Sequence, residues 1–299
     1  PHARARLLYR RMRERKIAAA PISWGVCEVP NWGVQLAPDR VLDDAQRLGF
    51  RAMEAGPPGF LPSDPAAAAL ALDAHGLRCI GGFVTAVLHD RARRDAELAS
   101  VERQAAWLHA AGAEMLVLAM STGREDYETR TELAEPEWAT LFETLPLVEA
   151  IALAARLVVV VHPHVGTVIE RPVDIDRLLT RSHAALCLDT GHVFVGGGDP
   201  AAIVRAAGRR VRHVHLKDAD RALSTAVRDG RLSYAAAVQQ GLYRPLGDGD
   251  ASISGVLTEL RSIGYDGWYV LEQDIALKDA SADPLPGIER SLMFVSARV

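Results

Sequence analysis

Eight short apolar runs alternate with amphipathic segments along most of this chain of 299 residues. Most runs are almost continuously apolar, which is typical of parallel β-strands that are covered on both faces. The runs span residues 17–23, 50–55, 77–84, 114–120, 157–162, 184–189, 211–216 and 268–272. Apolar residues recur with helical spacing over residues 38–48, 64–75, 93–111, 136–155, 172–180, 200–207 and 253–263. Eight such units predict an α/β fold of the (β/α)8 TIM-barrel type. A doubly wound sheet is the alternative, because a strand count from sequence is easily wrong by one.

No Gly- or Ser-rich linker divides the chain, so we predict one catalytic domain over residues 17–299. A dense basic stretch, RARLLYRRMRERK, comes first, and we interpret residues 1–16 as an N-terminal extension outside the fold. The stretch between the seventh and eighth runs is long. Its residues 224–241 leave room for an inserted helix over the mouth of the barrel.

Composition and charge narrow the classes of partner. The net charge is −4, whereas domains that bind nucleic acid are usually basic, so we predict no nucleic-acid partner. No apolar run approaches the roughly 20 residues of a membrane-spanning helix, so we predict no membrane partner. The three cysteines, Cys27, Cys79 and Cys187, are too widely spaced for a disulfide framework or a zinc knuckle. We therefore expect a reducing, cytoplasmic location.

Polar side chains of the kinds that bind metals collect near the ends of the runs. In TIM-barrel enzymes the catalytic residues lie at the carboxyl ends of the strands. The candidates there are Glu54, His162, His164, Glu170, Asp189, His192, His215, Lys217, Arg221 and Glu272. Carboxylates and imidazoles that converge at one mouth need a cation or a substrate to organise them. We therefore predict one divalent cation, and Mn²⁺, Co²⁺, Mg²⁺ and Zn²⁺ all suit such a set. His213 lies two residues deeper in the barrel than His215, and we interpret it as a packing residue.

Several motifs resemble a known group of enzymes. LCLDTGH, HVHLKD and WYVLEQD, in this order, resemble the xylose-isomerase-like TIM-barrel superfamily of sugar isomerases, epimerases and dehydratases. Within that superfamily, PISWGV, EAGPPGFLP, HPHVGTVIE, DTGHVFVGGGDP and PLGDGD resemble the inosose dehydratase family. The resemblance extends from about Ile17 to about Asp274.

The resemblance implies a metal set of Glu, Asp, His and Glu from strands five to eight. Asp189, His215 and Glu272 match the last three positions. We assign the first position to Glu170, which could fold back towards the metal. A His ligand from His162 or His164 is the alternative, with Glu170 on the substrate, and Glu170 could also only cap the next helix.

The resemblance also implies roles in catalysis and substrate binding. Glu170, Glu272 and Lys217 are the candidate catalytic residues, and Lys217 would bind an oxyanion or transfer a proton. An ion pair of Lys217 with Asp218 or Asp220 is an equally good interpretation. The candidate substrate-binding residues are Trp24, Glu54, His162, His164, His192 and Arg221. Trp24 and Phe194 would wall the sugar ring or else belong to the core.

This site predicts chemistry at a carbon next to a carbonyl group. The resemblance implies dehydration of a keto-inositol such as 2-keto-myo-inositol through a metal-stabilised enediolate. The alternative is a sugar or sugar-phosphate isomerase or 3-epimerase, with residues 196–198 as a cradle for a phosphate. A DNA repair endonuclease and a catalytically silent sugar-binding barrel are less favoured. We expect a cyclic polyol or sugar as the small-molecule partner, and homo-oligomerisation stays open.

Overall fold

The computed structural model describes residues 16–124 and 126–299. The predicted extension over residues 1–16 therefore lies outside the described residues except for Lys16. The strands are β1 Ile17–Ala19, β2 Ala52–Met53, β3 Arg78–Cys79, β4 Gly81–Ala86, β5 Met115–Met120, β6 Val158–Val161, β7 Ala185–Asp189, β8 Val211–Leu216, β9 Asp218–Ala219, β10 Tyr243–Arg244 and β11 Tyr269–Leu271. The α-helices are α1 Pro38–Leu48, α2 Pro65–Ala74, α3 Arg94–Ala110, α4 Glu135–Ala154, α5 Pro172–Arg181, α6 Thr190–Val195, α7 Pro200–Ala207, α8 Arg221–Arg228, α9 Tyr234–Gln239, α10 Ile253–Ser262 and α11 Leu285–Ser296. None of these helices combines the length and apolar character that crossing a membrane requires.

Nine parallel strands form one sheet in the order β3-β2-β1-β11-β8-β7-β6-β5-β4. The two edge strands, β3 and β4, are pieces of one predicted run that is interrupted only at Ile80. The sheet therefore curls round until its two edges meet in a single stretch of chain. This nearly closed barrel confirms the predicted TIM-barrel fold and excludes the doubly wound sheet.

Local sequence explains where the helices around the barrel begin and end. Six of them, α1, α2, α4, α5, α7 and α11, have Pro in the first turn, where a missing N–H leaves no hydrogen bond unmade. The Asp64 carboxylate caps α2 by accepting a hydrogen bond from the Ala67 N–H at 2.8 Å. Gly49 ends α1 with a φ of 87°, a left-handed conformation that glycine adopts without strain.

Alternation along the strands divides the buried apolar residues between two sides of the sheet. The largest cluster packs between the strands and the surrounding helices. Two small clusters come from alternate strand residues and fill the barrel interior, one around Ala18, Ala52 and Val270 and the other around Val117 and Val160. The interior is therefore packed, and polar side chains are left to gather at the carboxyl ends of the strands.

Between β8 and α10 the chain makes an insertion, residues 218–251, in the place where the sequence predicts one. It holds two short helices, α8 and α9, and it is closed at its base by the antiparallel pair of β9 and β10. The Asp218 carboxylate reinforces this base because it accepts hydrogen bonds from the N–H groups of Gly247, Gly249 and Ala251 at 2.9–3.1 Å. The insertion is therefore tied down where it leaves and rejoins the barrel.

Candidate metal centre and active site

Four side chains from neighbouring strands converge at the mouth of the barrel. They are His162 after β6, Asp189 at the end of β7, His215 on β8 and Glu272 after β11. The His162 Nε2 atom lies 3.1 Å from His215 Nδ1 and 3.5 Å from Asp189 Oδ2. The His215 Nδ1 atom lies 2.6 Å from Glu272 Oε2 and 3.7 Å from Asp189 Oδ2. One ligand atom from each residue lies within 4.8 Å of all the others, and we call these four residues the ligand group.

Strand register explains why these residues meet. Asp189 on β7 is paired with His215 on β8, and His215 is paired with Val270 on β11. Glu272 follows Val270 by two residues and so returns to the same face of the sheet. The order of the strands thus fixes three of the four ligands next to one another.

Charge is concentrated in this group. Burial opposes ionisation of Asp189, but Lys217 and His192 outweigh it and hold the pKa of Asp189 well below its ordinary value. The pKa of Glu272 is lowered against burial by His215 and Lys217. Burial opposes the charge of His215, yet its acidic neighbours, Glu272 and Glu54 among them, hold the pKa of His215 well above its ordinary value. The two carboxylates are therefore ionised in a buried setting, which favours a cation.

Two oxygens of the ligand group accept no hydrogen bond of ordinary angle within the described part of the chain, although the nitrogens of Lys217 and His215 lie 3.4 Å and 2.6 Å from them. They are Asp189 Oδ2 and Glu272 Oε2, and both atoms are buried. Buried polar atoms in proteins are nearly always satisfied, so such a pair needs another partner. Two imidazole nitrogens and two carboxylate oxygens form a donor set that fits Zn²⁺, Co²⁺ or Mn²⁺.

Glu170 stands apart from the ligand group. The Arg130 Nε–H donates to Glu170 Oε1 at 2.7 Å, and the Gly166 N–H donates to Glu170 Oε2 at 3.0 Å. The loop after β6 folds back on itself through a hydrogen bond from the His164 N–H to the Ile169 oxygen at 3.0 Å. This turn directs Glu170 to Gly166. Of the three candidates for the first ligand, the structure thus brings only His162 into the ligand group.

His164 lies beside the group and makes other contacts. Its Nδ1 atom lies 2.7 Å from the Val165 oxygen, and its ring is 3.7 Å from the ring of His192. Burial lowers the pKa of His164 well below its ordinary value, and the nearby His162 lowers it further. His164 is therefore a neutral ring on the cavity wall.

Lys217 is the centre of a buried polar ring. Its Nζ atom lies 2.7 Å from Asp274 Oδ1, 3.0 Å from His192 Nε2 and 3.4 Å from Asp189 Oδ2. The Asp274 Oδ2 atom accepts from the Tyr234 hydroxyl at 2.9 Å. The Tyr243 hydroxyl lies 3.2 Å from that of Tyr234 and 3.2 Å from His192 Nδ1. Lys217, His192, Tyr243, Tyr234 and Asp274 thus form a closed loop, which we call the lysine ring.

The hydrogen bonds of the lysine ring have one consistent donor-to-acceptor direction. Tyr234 gives its only hydroxyl hydrogen to Asp274, so Tyr243 must donate to Tyr234. The Lys217 ammonium can only donate, so His192 Nε2 accepts from it and a neutral His192 carries its hydrogen on Nδ1, from which the Tyr243 hydroxyl accepts. The Val165 nitrogen lies 3.5 Å from the same Nδ1, and in this tautomer that contact is not a hydrogen bond. The pKa of His192 is well below its ordinary value because of burial and the neighbouring His164 and Lys217, in keeping with this direction.

The partners of Lys217 differ from the two that the sequence suggests. Asp218 binds backbone N–H groups at the base of the insertion, and Asp220 caps α8 through the Leu223 N–H. Lys217 faces Asp189, Asp274 and Glu272 instead, and these acids outweigh its burial and hold its pKa well above the ordinary value. Burial raises the pKa of Asp274 to about 6, although Lys217 acts against this shift.

Glu54 lies at the bottom of the site, between two histidines of β8. Its Oε1 atom lies 2.8 Å from His213 Nε2 and 3.0 Å from His215 Nε2. Burial opposes its charge, but these two imidazoles hold the pKa of Glu54 well below its ordinary value. His213 is fully buried, and it is a hydrogen-bond partner of Glu54 as well as a packing residue.

A cavity of about 370 Å³ opens above these groups. Residues that line it include Glu54, His162, His164, Lys217, Glu272 and Asp274. The described part of the segment between β5 and α4 covers one side. The Tyr127 hydroxyl donates to Glu28 Oε1 at 2.9 Å, and the Glu128 carboxylate accepts from two N–H groups at the start of α9. Tyr127 also packs on the ring of His164 at 4.6 Å. Substrate would be held between this cover and the ligand group.

Five predicted site residues are absent from the described lining of the cavity, namely Trp24, Glu170, Asp189, His192 and Arg221. Trp24 is fully buried and packs edge-on against Phe50, as a core residue does. Arg221 is exposed, and its guanidinium lies 5.1 Å from the ring of Phe194. Residues 196–198 precede α7, but the carboxylate of Asp199 already caps that helix by accepting from the Ala201 N–H. These residues therefore form no cradle for a phosphate.

Sequence reasoning assigned no role to Asp274, Tyr234, Tyr243 or Tyr127. Asp274 has a readable signal, since it follows Glu272 by two residues and alternation places it on the same side. The tyrosines belong to the insertion and to the segment that covers the cavity, where no periodic pattern marks their direction.

The chain is similar to known enzymes over most of its length. The chain is 29% identical over 270 residues to an inosose dehydratase of Geobacillus kaustophilus, with 87% of each chain covered. It is 32% identical over 267 residues to the rhizopine catabolism protein MocC of Rhizobium meliloti, with 87% of this chain and 81% of that one covered. The similarity to dehydratases, epimerases and isomerases confirms the prediction of an enzyme.

Solved structures share the fold. The probable 3-DHS dehydratase AsbF from Bacillus anthracis superposes with a TM-score of 0.72 at 15% identity, covering 95% of this chain and all of that one. The 3-keto-D-glucoside 4-epimerase of E. coli superposes with a TM-score of 0.65 at 18% identity, covering 95% and 99% of the two chains. The profile of one family, described as a xylose isomerase-like TIM barrel, matches residues 42–296. Because this match covers most of the chain, the protein belongs to the xylose isomerase-like TIM barrel family.

Proposed function

We propose that this protein is a metal-dependent dehydratase of a keto-inositol, with 2-keto-myo-inositol as the first substrate to test. The observation that carries the proposal is the convergence of the ligand group with the lysine ring at one cavity. Curated relatives that are named inosose dehydratases support the choice of reaction and substrate class.

His162, Asp189, His215 and Glu272 would hold one divalent cation, and their donor types favour Mn²⁺, Co²⁺ or Zn²⁺. When bound, such a cation polarises a carbonyl oxygen and stabilises negative charge that develops on it. In this proposal His162 occupies the first ligand position and Glu170 is left out, because both oxygens of Glu170 accept hydrogen bonds elsewhere.

Lys217 and Glu272 have the remaining roles. The Lys217 ammonium is held by Asp274 and His192 and lines the cavity, so it would donate a hydrogen bond to an oxygen of the substrate that gains negative charge. The Glu272 side chain is 13% exposed, whereas that of Asp189 is fully buried. Glu272 is therefore the carboxylate of the ligand group that can take a proton from the carbon next to the ketone. The C–O bond of the hydroxyl group at the next carbon then breaks and a C=C bond forms between the two carbons. The proton that Glu272 takes and the departing hydroxide together make up the one molecule of water that is lost.

The charge of the cavity favours an unphosphorylated substrate. Two cationic residues among the described residues line it, Arg124 and Lys217. The acidic residues that line it are Glu28, Glu54, Asp126, Glu272 and Asp274. A phosphate dianion would meet this acidic excess, and the predicted cradle at residues 196–198 is closed by Asp199. A neutral cyclic polyol fits better than a sugar phosphate.

The reaction can be tested by incubating the protein with Mn²⁺ or Co²⁺ and 2-keto-myo-inositol in D₂O and measuring the product mass. We expect a product that is lighter than the substrate by one water and absorbs in the ultraviolet as an enone does. A product that keeps its water and gains only deuterium would support the alternative isomerase or 3-epimerase. No exchange with any keto-inositol or ketose would contradict both the dehydratase and the isomerase or epimerase.

The oligomeric state and the location in the cytoplasm stay predictions.

A further inference from the structure

Glu54 lies on the side of His215 that faces away from the ligand group. His215 presents Nδ1 to His162, Asp189 and Glu272, and it presents Nε2 to Glu54 Oε1 at 3.0 Å. The two nitrogens of one ring thus have different partners. Glu54 is the group that meets the nitrogen on the far side.

This arrangement fixes which nitrogen of His215 carries a hydrogen when Nδ1 serves as a ligand. An ionised carboxylate only accepts hydrogen bonds, so the hydrogen must be on Nε2 and the lone pair on Nδ1. That lone pair points into the ligand group. A carboxylate behind a histidine ligand in this manner sets the tautomer and the ring angle and raises the basicity of the ligand.

His213 explains why the carboxylate of Glu54 stays in place. Its Nε2 atom lies 2.8 Å from the same Oε1 oxygen, so two imidazole N–H groups converge on one acceptor. The His213 Nδ1 atom is buried and has no partner among the described residues. A buried bare acceptor is tolerated more readily than a buried bare N–H, which places the hydrogen of His213 on Nε2. Glu54 is therefore held from two sides before any metal arrives.

We propose that Glu54 is a positioning residue, which acts through His215 to orient Nδ1 towards the metal, with His213 as the second donor that fixes it. The inference rests on the metal centre of the proposed function. It replaces the role in substrate binding that the sequence suggests for Glu54, although Glu54 does line the cavity.

The test measures the affinity of the purified, chelator-treated protein for Co²⁺ by competition with a fluorescent chelator. Removing a group that hydrogen-bonds to a metal ligand typically weakens metal binding by about 10- to 100-fold. We expect a decrease of this size in Co²⁺ affinity for Glu54→Gln. We also expect the visible absorption bands of bound Co²⁺ to change, because the angle and basicity of His215 change. Glu54→Asp, which keeps the charge but is one methylene shorter, should weaken Co²⁺ binding too, and it serves as a second variant if Glu54→Gln does not fold.

The matched control is Glu28→Gln, which removes a carboxylate from the same cavity without touching His215. If both Gln variants weaken Co²⁺ binding equally and leave the Co²⁺ spectrum unchanged, Glu54 contributes only charge and the proposal is overturned. A rise in KM for substrate with unchanged Co²⁺ affinity would also overturn it, in favour of substrate binding. Wild-type protein that binds no Co²⁺ would refute the metal centre and this inference together. Normal Co²⁺ binding without any dehydration would count against the proposed reaction alone.

Discussion

The floor and the wall of the cavity are both buried and polar, yet they are built in different ways. The floor consists of Glu54, which follows β2, and of His213 and His215 on β8. Strands β1 and β11 separate β2 from β8 in the sheet. The wall consists of the lysine ring, in which Tyr234 and Tyr243 come from the insertion. Barrel strands carry every residue of the floor, whereas the wall also needs residues of the insertion. Residues of the barrel would therefore determine metal binding, and residues of the insertion would determine the position of Lys217.

The largest effect should come from removing a ligand charge. Glu272→Gln should lower the turnover rate by about 10²- to 10⁴-fold, as expected for loss of a carboxylate base, and should reduce the metal content. Steady-state kinetics and elemental analysis of protein purified without chelator measure both quantities. Glu170→Gln is the control, and it should keep its metal because Glu170 lies outside the ligand group. Full metal retention in Glu272→Gln would contradict the assignment.

The Lys217→Met variant tests how much the lysine ring contributes to stability. Lys217 and Asp274 are both buried, and removing one partner of such a pair typically destabilises a protein by about 3–5 kcal/mol. The midpoint of urea unfolding should fall accordingly. The double variant Lys217→Met with Asp274→Asn should recover part of the loss, since the uncompensated carboxylate is gone. Equal midpoints for the single and double variants would mean that the pair is not coupled.

Tyr243→Phe removes one hydroxyl from the lysine ring and keeps the aromatic ring that lies 5.0 Å from Lys217 Nζ. His192 and Tyr234 would each lose a partner, and leaving a buried polar group unsatisfied costs about 1–3 kcal/mol. Turnover should fall as well, since Lys217 is held less firmly. The control is Tyr265→Phe, which removes a hydroxyl that donates to the Trp268 oxygen at 2.6 Å outside the described cavity lining. The Tyr265→Phe variant should be less stable but keep its turnover rate. An equal loss of turnover in both variants would mean that the lysine ring has no specific role in catalysis.

Arg221→Ala should have the smallest effect. The side chain is exposed, and its guanidinium lies over the ring of Phe194 and 3.5 Å from the backbone oxygen of Asp250. Surface substitutions of this kind change stability by about 0.5 kcal/mol or less, and KM for the substrate should not change. A large rise in KM would show that Arg221 contacts the substrate. The wall of the cavity would then include Arg221 as well as the lysine ring.

The fold was predictable from the sequence because parallel strands and their covering helices leave two distinct periodic patterns. All eight apolar runs became barrel strands, and the third was divided at Ile80 into β3 and β4. Strand ends also predicted that ligand-type side chains would gather at one mouth of the barrel. The family resemblance, and not the strand pattern, singled out Asp189, His215 and Glu272 among them.

Other parts of the site depend on loop conformation, which periodicity does not encode. The turn over residues 164–169 sends Glu170 to Arg130 and Gly166, and no local pattern distinguishes this from a turn towards the barrel mouth. The tyrosines of the lysine ring present the same difficulty, since they meet Asp274 only after the insertion has folded. Strand ends therefore locate the candidate ligands on the strands better than they locate the groups around them.

The closed base of the insertion has a consequence for how such an enzyme could change its substrate. The β9–β10 pair and the carboxylate of Asp218 hold the two ends of the insertion together, independently of what lies between them. Residues 220–242 can therefore be replaced by another segment without altering the strands that carry the ligand group. We expect chimaeras that exchange this segment with that of a relative to fold, to bind the same metal and to differ in substrate preference. The protein would then consist of two parts, a reaction centre carried by the barrel strands and an exchangeable segment that sets substrate preference.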